Sequence, residues 1–127
     1  MVKRCDLSLK SVVDGKKNLF FSVGQFEEKE DKIFLSYRED AASICITFCD
    51  ENACIDREGD YSLHLPLKNG KTSQGELGIN GNIGTLDIYT HKLCYFFEGN
   101  KFKVCLRYDI LLGDTPQKME LDIQAKF

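Results

Sequence analysis

Apolar and polar residues alternate with a period of two along almost the whole chain, and no other feature limits the fold so tightly. Cys5, Leu7, Leu9 and Val13 alternate with Arg4, Asp6, Ser8 and Lys10; Leu19, Phe21 and Val23 follow, then Ile33, Leu35 and Tyr37. The pattern continues through Ile44, Ile46 and Phe48, then Tyr61, Leu63, Leu65 and Leu67, then Leu86 and Ile88. It ends with Leu93, Tyr95 and Phe97, with Phe102, Val104, Leu106 and Tyr108, and with Met119, Leu121, Ile123, Ala125 and Phe127. Successive side chains of a strand point to opposite faces, so each run reads as a strand with one face in a core and one in water. No window carries a 3.6-residue apolar stripe with caps, so almost no helix is expected.

Turn residues separate the runs. Asp14-Gly15, Asn69-Gly70 and Gly99-Asn100 are hairpin dipeptides. Glu30-Asp31-Lys32, Arg57-Glu58-Gly59-Asp60 and Gly113-Asp114-Thr115-Pro116 serve other joints. Ten or eleven antiparallel strands result, with neighbours in sequence expected as neighbours in space. An open sheet of that size would leave two long edges, and closure removes them. The expected architecture is therefore all-β, an antiparallel up-and-down β-barrel, in a single domain over residues 1–127.

With 127 residues, 43% hydrophobic and 29% charged, the chain can bury a substantial core and is not disordered. Its formal net charge of −3 argues against general nucleic-acid binding and against docking on an anionic membrane. The start of the chain has no apolar run behind Lys3 and Arg4, so a cytoplasmic protein is expected. Its six cysteines, Cys5, Cys45, Cys49, Cys54, Cys94 and Cys105, then read as free thiols packed like small apolar residues. No C-x-x-C occurs and the histidines, His64 and His91, lie far apart, so neither a metal nor a cofactor is expected.

Five segments together resemble a known family. They are Gly24-Gln25-Phe26 with Lys32-Ile33-Phe34-Leu35-Ser36-Tyr37-Arg38-Glu39, then Ile55-Asp56-Arg57-Glu58-Gly59, then Gly84-Thr85-Leu86-Asp87-Ile88-Tyr89-Thr90, and Val104-Cys105-Leu106-Arg107-Tyr108-Asp109-Ile110. In this order they resemble the YwiB-like bacterial proteins, a family of unknown function with a calycin-like β-barrel, over about residues 8–127. The resemblance implies a barrel with a central cavity, lipocalin-like in shape, and implies no reaction. Leu77 to Ile83 and the six cysteines depart from the family pattern.

Candidate site residues follow from hairpin registers. With Glu51-Asn52 as the turn, Phe48 faces Ile55, Ile46 faces Arg57, and Cys49 faces Cys54. Arg57 then points inward, where its guanidinium suits a carboxylate or phosphate, unless it sits at the mouth and pairs with Asp56, Glu58 or Asp60. With Gly99-Asn100 as the turn, Cys94 faces Cys105 on the outer face, and Phe97 and Tyr95 face Phe102 and Val104 inside. Opposed cysteines lie roughly 4.5–5.5 Å apart at Cβ, wider than a disulfide prefers. Tyr37, Tyr89, Tyr95 and Tyr108 offer hydroxyls on aromatic bodies, with Tyr37 and Tyr108 the better placed. His91 reads as lying at a strand-to-strand turn, with Asp87 too far along the strand to orient it, and His64 reads as solvent-facing. No nucleophile elbow, P-loop or dinucleotide fingerprint occurs, so no enzyme is expected. The expected function is binding of a small apolar or amphipathic ligand inside the barrel, through Arg57, Tyr37, Tyr108, Tyr89 and Tyr95. The alternative is a solid-barrel interaction module offering an edge strand or the acidic Glu27–Asp31 hairpin. The chain is expected to be a monomer or weak homodimer.

Overall fold

A computed structural model describes residues 2–127. Ten strands follow one another: β1 (Val2–Val13), β2 (Lys16–Lys29), β3 (Lys32–Glu39), β4 (Ala42–Cys49), β5 (Asn52–Glu58), β6 (Ser62–Lys68), β7 (Thr72–Ile79), β8 (Asn82–Glu98), β9 (Lys101–Leu112) and β10 (Thr115–Lys126). Each pairs antiparallel with its neighbours in sequence, and β1 pairs with β10, which closes the barrel. Turns after odd-numbered strands gather at one end, here the lower. Turns after even-numbered strands gather at the upper end.

Inward residues of every strand except β7 form one core. Leu35, Ile46, Phe48, Leu67, Ile88, Phe102, Leu106 and Ala125 are wholly buried. The upper end is filled by rings around Phe102, with Phe26, Phe48 and Phe97 at 5.4, 5.6 and 5.1 Å between centroids. Edge-on and tilted contacts of this kind add to the burial of large apolar rings.

Three local features depart from the expected strand faces and registers. In β2 the faces are reversed from expectation: Leu19, Phe21 and Val23 point outward and are 64%, 73% and 49% exposed. The register with β1 decides this, because inward Leu7 and Leu9 pair with Ser22 and Phe20, so the even positions of β2 face the core. In β8 a bulge at Thr90/Lys92 inserts His91 into the strand instead of ending it. An extra residue flips the parity, so Ile88 and Thr90 face inward before the bulge and Leu93 and Tyr95 after it. Two apparent strands are thus one. Asn69 fastens the bulge, accepting a hydrogen bond from Leu93 N at 3.1 Å, while Gly70 N donates to Thr90 O at 2.9 Å. Finally, the β4–β5 turn is Asp50-Glu51, with Asp50 at φ 54°. This shifts the expected register by two residues: Ile44 faces Arg57, Ile46 faces Ile55, and Phe48 faces Ala53. A two-residue shift leaves every side chain on its original face.

Candidate functional site

The expected interior anchors divide. Arg57 is on the inward face but at the lower rim, where Nη2 binds Asp60 Oδ1 at 3.1 Å and Nη1 donates to Tyr61 O at 2.8 Å. Its guanidinium lies 3.7 Å from the centre of the Tyr61 ring. The hydrogen bond from Arg57 holds the exposed Asp60 carboxyl below its usual range. Tyr95 faces the core, and its hydroxyl donates to Asp50 O at 2.9 Å. Tyr89 lies on the outer face, its ring 4.8 Å from that of His91; the β8 parity carries it away from the interior.

Tyr37 and Tyr108 are both buried in the barrel core. Burial raises the hydroxyl pKa of both, Tyr108 to about 12, and Tyr37 is raised further by the nearby Glu39 and Tyr108. Thr90 sits opposite Tyr108, and its fully buried hydroxyl has no hydrogen-bond partner among the described residues.

A concavity lies outside the barrel. A groove of about 660 Å³ runs across the outer face of β1 to β5, over Val2, Val23 and the backbone of Gly24. Gly24 allows it: a Cβ there would fall 2.6 Å from Leu7 Cδ1 and 2.5 Å from Ser36 O. Without that atom the β1–β2 hairpin coils tightly onto β3. Arg4 and Arg38 line the groove beside Ser43, with Asp56 and Glu58 at its far end. Arg38 donates to Ser43 Oγ at 2.8 Å and to Ala41 O at 3.4 Å. Among the described residues, neither arginine forms an ion pair with a carboxylate.

Past the acidic end of the groove, β5 and β6 bring together Cys54, Asp56 and His64. Cys54 and Asp56 are two apart on one strand, and Asp56 pairs with His64 on the next. The Cys54 thiol lies 3.5 Å from His64 Nδ1 and 3.6 Å from Asp56 Oδ2, and His64 Nδ1 is 2.5 Å from Asp56 Oδ1. Burial, helped by the Asp56 charge, pushes the Cys54 thiol up to about 12. The expected Cys49–Cys54 opposition does not occur, because the shifted turn sets Cys49 against Asn52 and Cys54 against Thr47. Cys94 does oppose Cys105, as free thiols. His91, within the bulge rather than at a turn, meets a carboxylate not considered from sequence: Nε2 is 2.8 Å from Asp109 Oδ2.

Sequence reading missed the outer groove because it followed apolar faces inward. The signal for the cluster was available in Cys54-x-Asp56, two donors on one strand face. The third donor depended on the irregular turn before β6.

The molecule is thus a closed ten-stranded β-barrel with an apolar core and a concavity of about 660 Å³ on its outer face. Residues 9–123 match the domain of unknown function DUF1934, and the chain belongs to that family. The fold is also that of a solved structure described as the ywiB protein from Bacillus subtilis, at TM-score 0.83 and 18% identity, covering 98% of this chain and 92% of that one. No curated protein matches the chain.

Proposed function

We propose that the protein binds a small amphipathic anion in the outer groove. One observation carries this reading: a concavity of about 660 Å³ with an apolar floor holds two guanidinium groups that form no ion pair with a carboxylate of the described residues. That volume is of the order of small-molecule sites, and polar groups converging on an apolar floor are what such sites use for orientation. A carboxylate, sulfonate or phosphate suits the forked donors of Arg4 and Arg38, and an apolar body suits Val2 and Val23. The ligand expected from sequence keeps its chemistry, and its place moves from the interior to the outer face. Arg57 is already engaged by Asp60 and Tyr61, which removes the cation on which an interior anion site depended.

Anilinonaphthalene sulfonate is a suitable probe, since it is an amphipathic anion whose fluorescence rises on apolar surfaces. The native protein is expected to bind it. Arg4→Glu with Arg38→Glu is expected to weaken binding at least about tenfold, equivalent to roughly 1.4 kcal/mol. Arg57→Ala is expected to leave binding unchanged. Binding that ignores the Arg4/Arg38 pair but falls with Tyr37→Phe and Thr90→Val would return the site to the interior.

A second reading, the solid-barrel interaction module, is supported by β2. Its residues from Lys16 to Gly24 pair only with β1, so the opposite edge is free among the described residues, beside exposed Leu19 and Phe21. The partner that fits is a second copy. Antiparallel pairing of two such edges keeps Lys16 and Lys17 of the copies at opposite ends and brings the uncharged Asn18–Val23 segments together. Concentration-dependent sedimentation abolished by Phe21→Lys supports it; a monomer at every concentration removes it.

A further inference from the structure

We propose that Cys54, Asp56 and His64 form a zinc-class metal site on the outer face of β5 and β6, at the acidic end of the groove, which Asp56 also lines. The three donor atoms lie within 4.8 Å of one another. Tetrahedral zinc, with Zn–S near 2.3 Å and Zn–N and Zn–O near 2.0–2.1 Å, sets sulfur roughly 3.6 Å from each lighter donor. The observed distances are 3.5 Å to His64 Nδ1 and 3.6 Å to Asp56 Oδ2. Nitrogen and oxygen would stand roughly 3.3 Å apart around the same ion; here His64 Nδ1 is hydrogen-bonded at 2.5 Å to Oδ1, the other oxygen of the carboxylate that Cys54 contacts through Oδ2. The metal therefore replaces the His64–Asp56 hydrogen bond and that of the thiol to Asp56 Oδ2, the thiol proton passing to solvent as the thiolate binds the ion. The His64 and Asp56 side chains are 52% and 45% exposed and have room to rotate.

The backbone is already in place. Asp56 and His64 are directly opposed on paired strands, and Cys54 projects from the same face one pleat away. Sites built on strands hold their geometry better than sites on loops. Thiolate, imidazole and carboxylate together select zinc over calcium or magnesium, which prefer all-oxygen ligands. One thiolate and one carboxylate also cancel the charge of a divalent ion. With three protein ligands, the fourth position is left to water.

A Cys–His–Asp catalytic triad is the competing interpretation, and the geometry opposes it. A triad base faces its nucleophile with one ring nitrogen and its orienting carboxylate with the other. In this cluster Nδ1 is the ring nitrogen nearer the thiol, at 3.5 Å against 3.9 Å for Nε2, and Nδ1 also contacts Asp56. The donors converge on one point instead of forming a relay.

Cobalt titration of the tag-free, reduced, chelator-treated protein tests the site. One equivalent of Co²⁺ is expected to give a sulfur-to-cobalt charge-transfer band and visible bands of tetrahedral intensity, both bleached by Zn²⁺. Cys54→Ser is expected to abolish the charge-transfer band. His64→Ala is expected to weaken Zn²⁺ binding by more than about tenfold, the loss that outer-shell changes alone can cause. Cys105→Ser should retain the full spectrum, and circular dichroism reports whether each variant is folded. Absence of the band in the wild-type protein, or a band that survives Cys54→Ser in folded protein, overturns the proposal.

Discussion

At the residue scale, burial decides what the inward tyrosines do. Tyr108 has its hydroxyl pKa raised from 10.0 to about 12 by burial, and that of Tyr37 is raised for the same first reason. A tyrosine with a raised folded-state pKa contributes its full stability below the unfolded value and loses it as pH rises through the folded value. The protein is therefore expected to lose stability between about pH 10 and pH 12, while the neutral range is insensitive to these groups. Urea midpoints measured up that range should fall for the wild type and fall less for Tyr108→Phe. A midpoint equally pH-dependent in the variant would show that the hydroxyl is ionised by contact with solvent. Tyr37 and Tyr108 were legible as core-facing aromatics because they share parity with apolar neighbours. Arg57 was legible as inward-facing for the same reason, but Asp60 and Tyr61 capture it through a turn whose shape no period predicts.

At the element scale, small backbone features outweigh apolar pattern. Gly24 has no room for a methyl group, with Ser36 O and the Leu7 side chain both closer than 3 Å to the position a Cβ would take. Gly24→Ala is expected to destabilise the fold by about 1–3 kcal/mol through overpacking, read as a lower urea midpoint at unchanged slope. A neutral result would mean that β2 can move off β3, and the groove should then change shape with it. The β8 bulge works at the same scale. One inserted residue turns Leu86–Ile88 and Leu93–Phe97 from two apparent strands into one, and moves His91 from a supposed turn into contact with Asp109. Alternation alone cannot distinguish a strand break from a parity flip, since both interrupt the pattern in the same way. The β2 stripe Leu19-x-Phe21-x-Val23 was misassigned to the core for a related reason. Its own sequence offers apolar residues on both parities, and only pairing with β1 selects between them.

For the whole molecule, closure is uneven. β9 pairs along its length with both β8 and β10, whereas β6 and β7 share only the rungs from Ser62–Gly78 to His64–Glu76. Pro66 has no N–H to extend that seam, and the Ser73 hydroxyl donates to Pro66 O in place of a ladder bond. Local opening follows the weakest cooperative unit. Native-state hydrogen exchange is expected to show β7 and the first residues of β8 opening at the lowest free energies, and β9 exchanging only with global unfolding. Equal protection across all ten strands would mean that the barrel opens as one unit despite the short seam.

By itself, the sequence determined the strand content, the absence of helical periodicity and the meander order. Those follow from side-chain period and turn residues, which act over a few positions. It also determined the Cys94–Cys105 pairing, because the Gly99-Asn100 turn leaves one register. Tertiary structure decided which face of β2 is wet, where β8 changes parity, and that Asp50-Glu51 rather than Glu51-Asn52 turns the chain. It alone brought Arg4 and Arg38 to one groove and Cys54, Asp56 and His64 to one point. The physical reason is common to all of these. Each depends on the relative register of separate strands, and register is set by the packing of the closed barrel, not by any one strand.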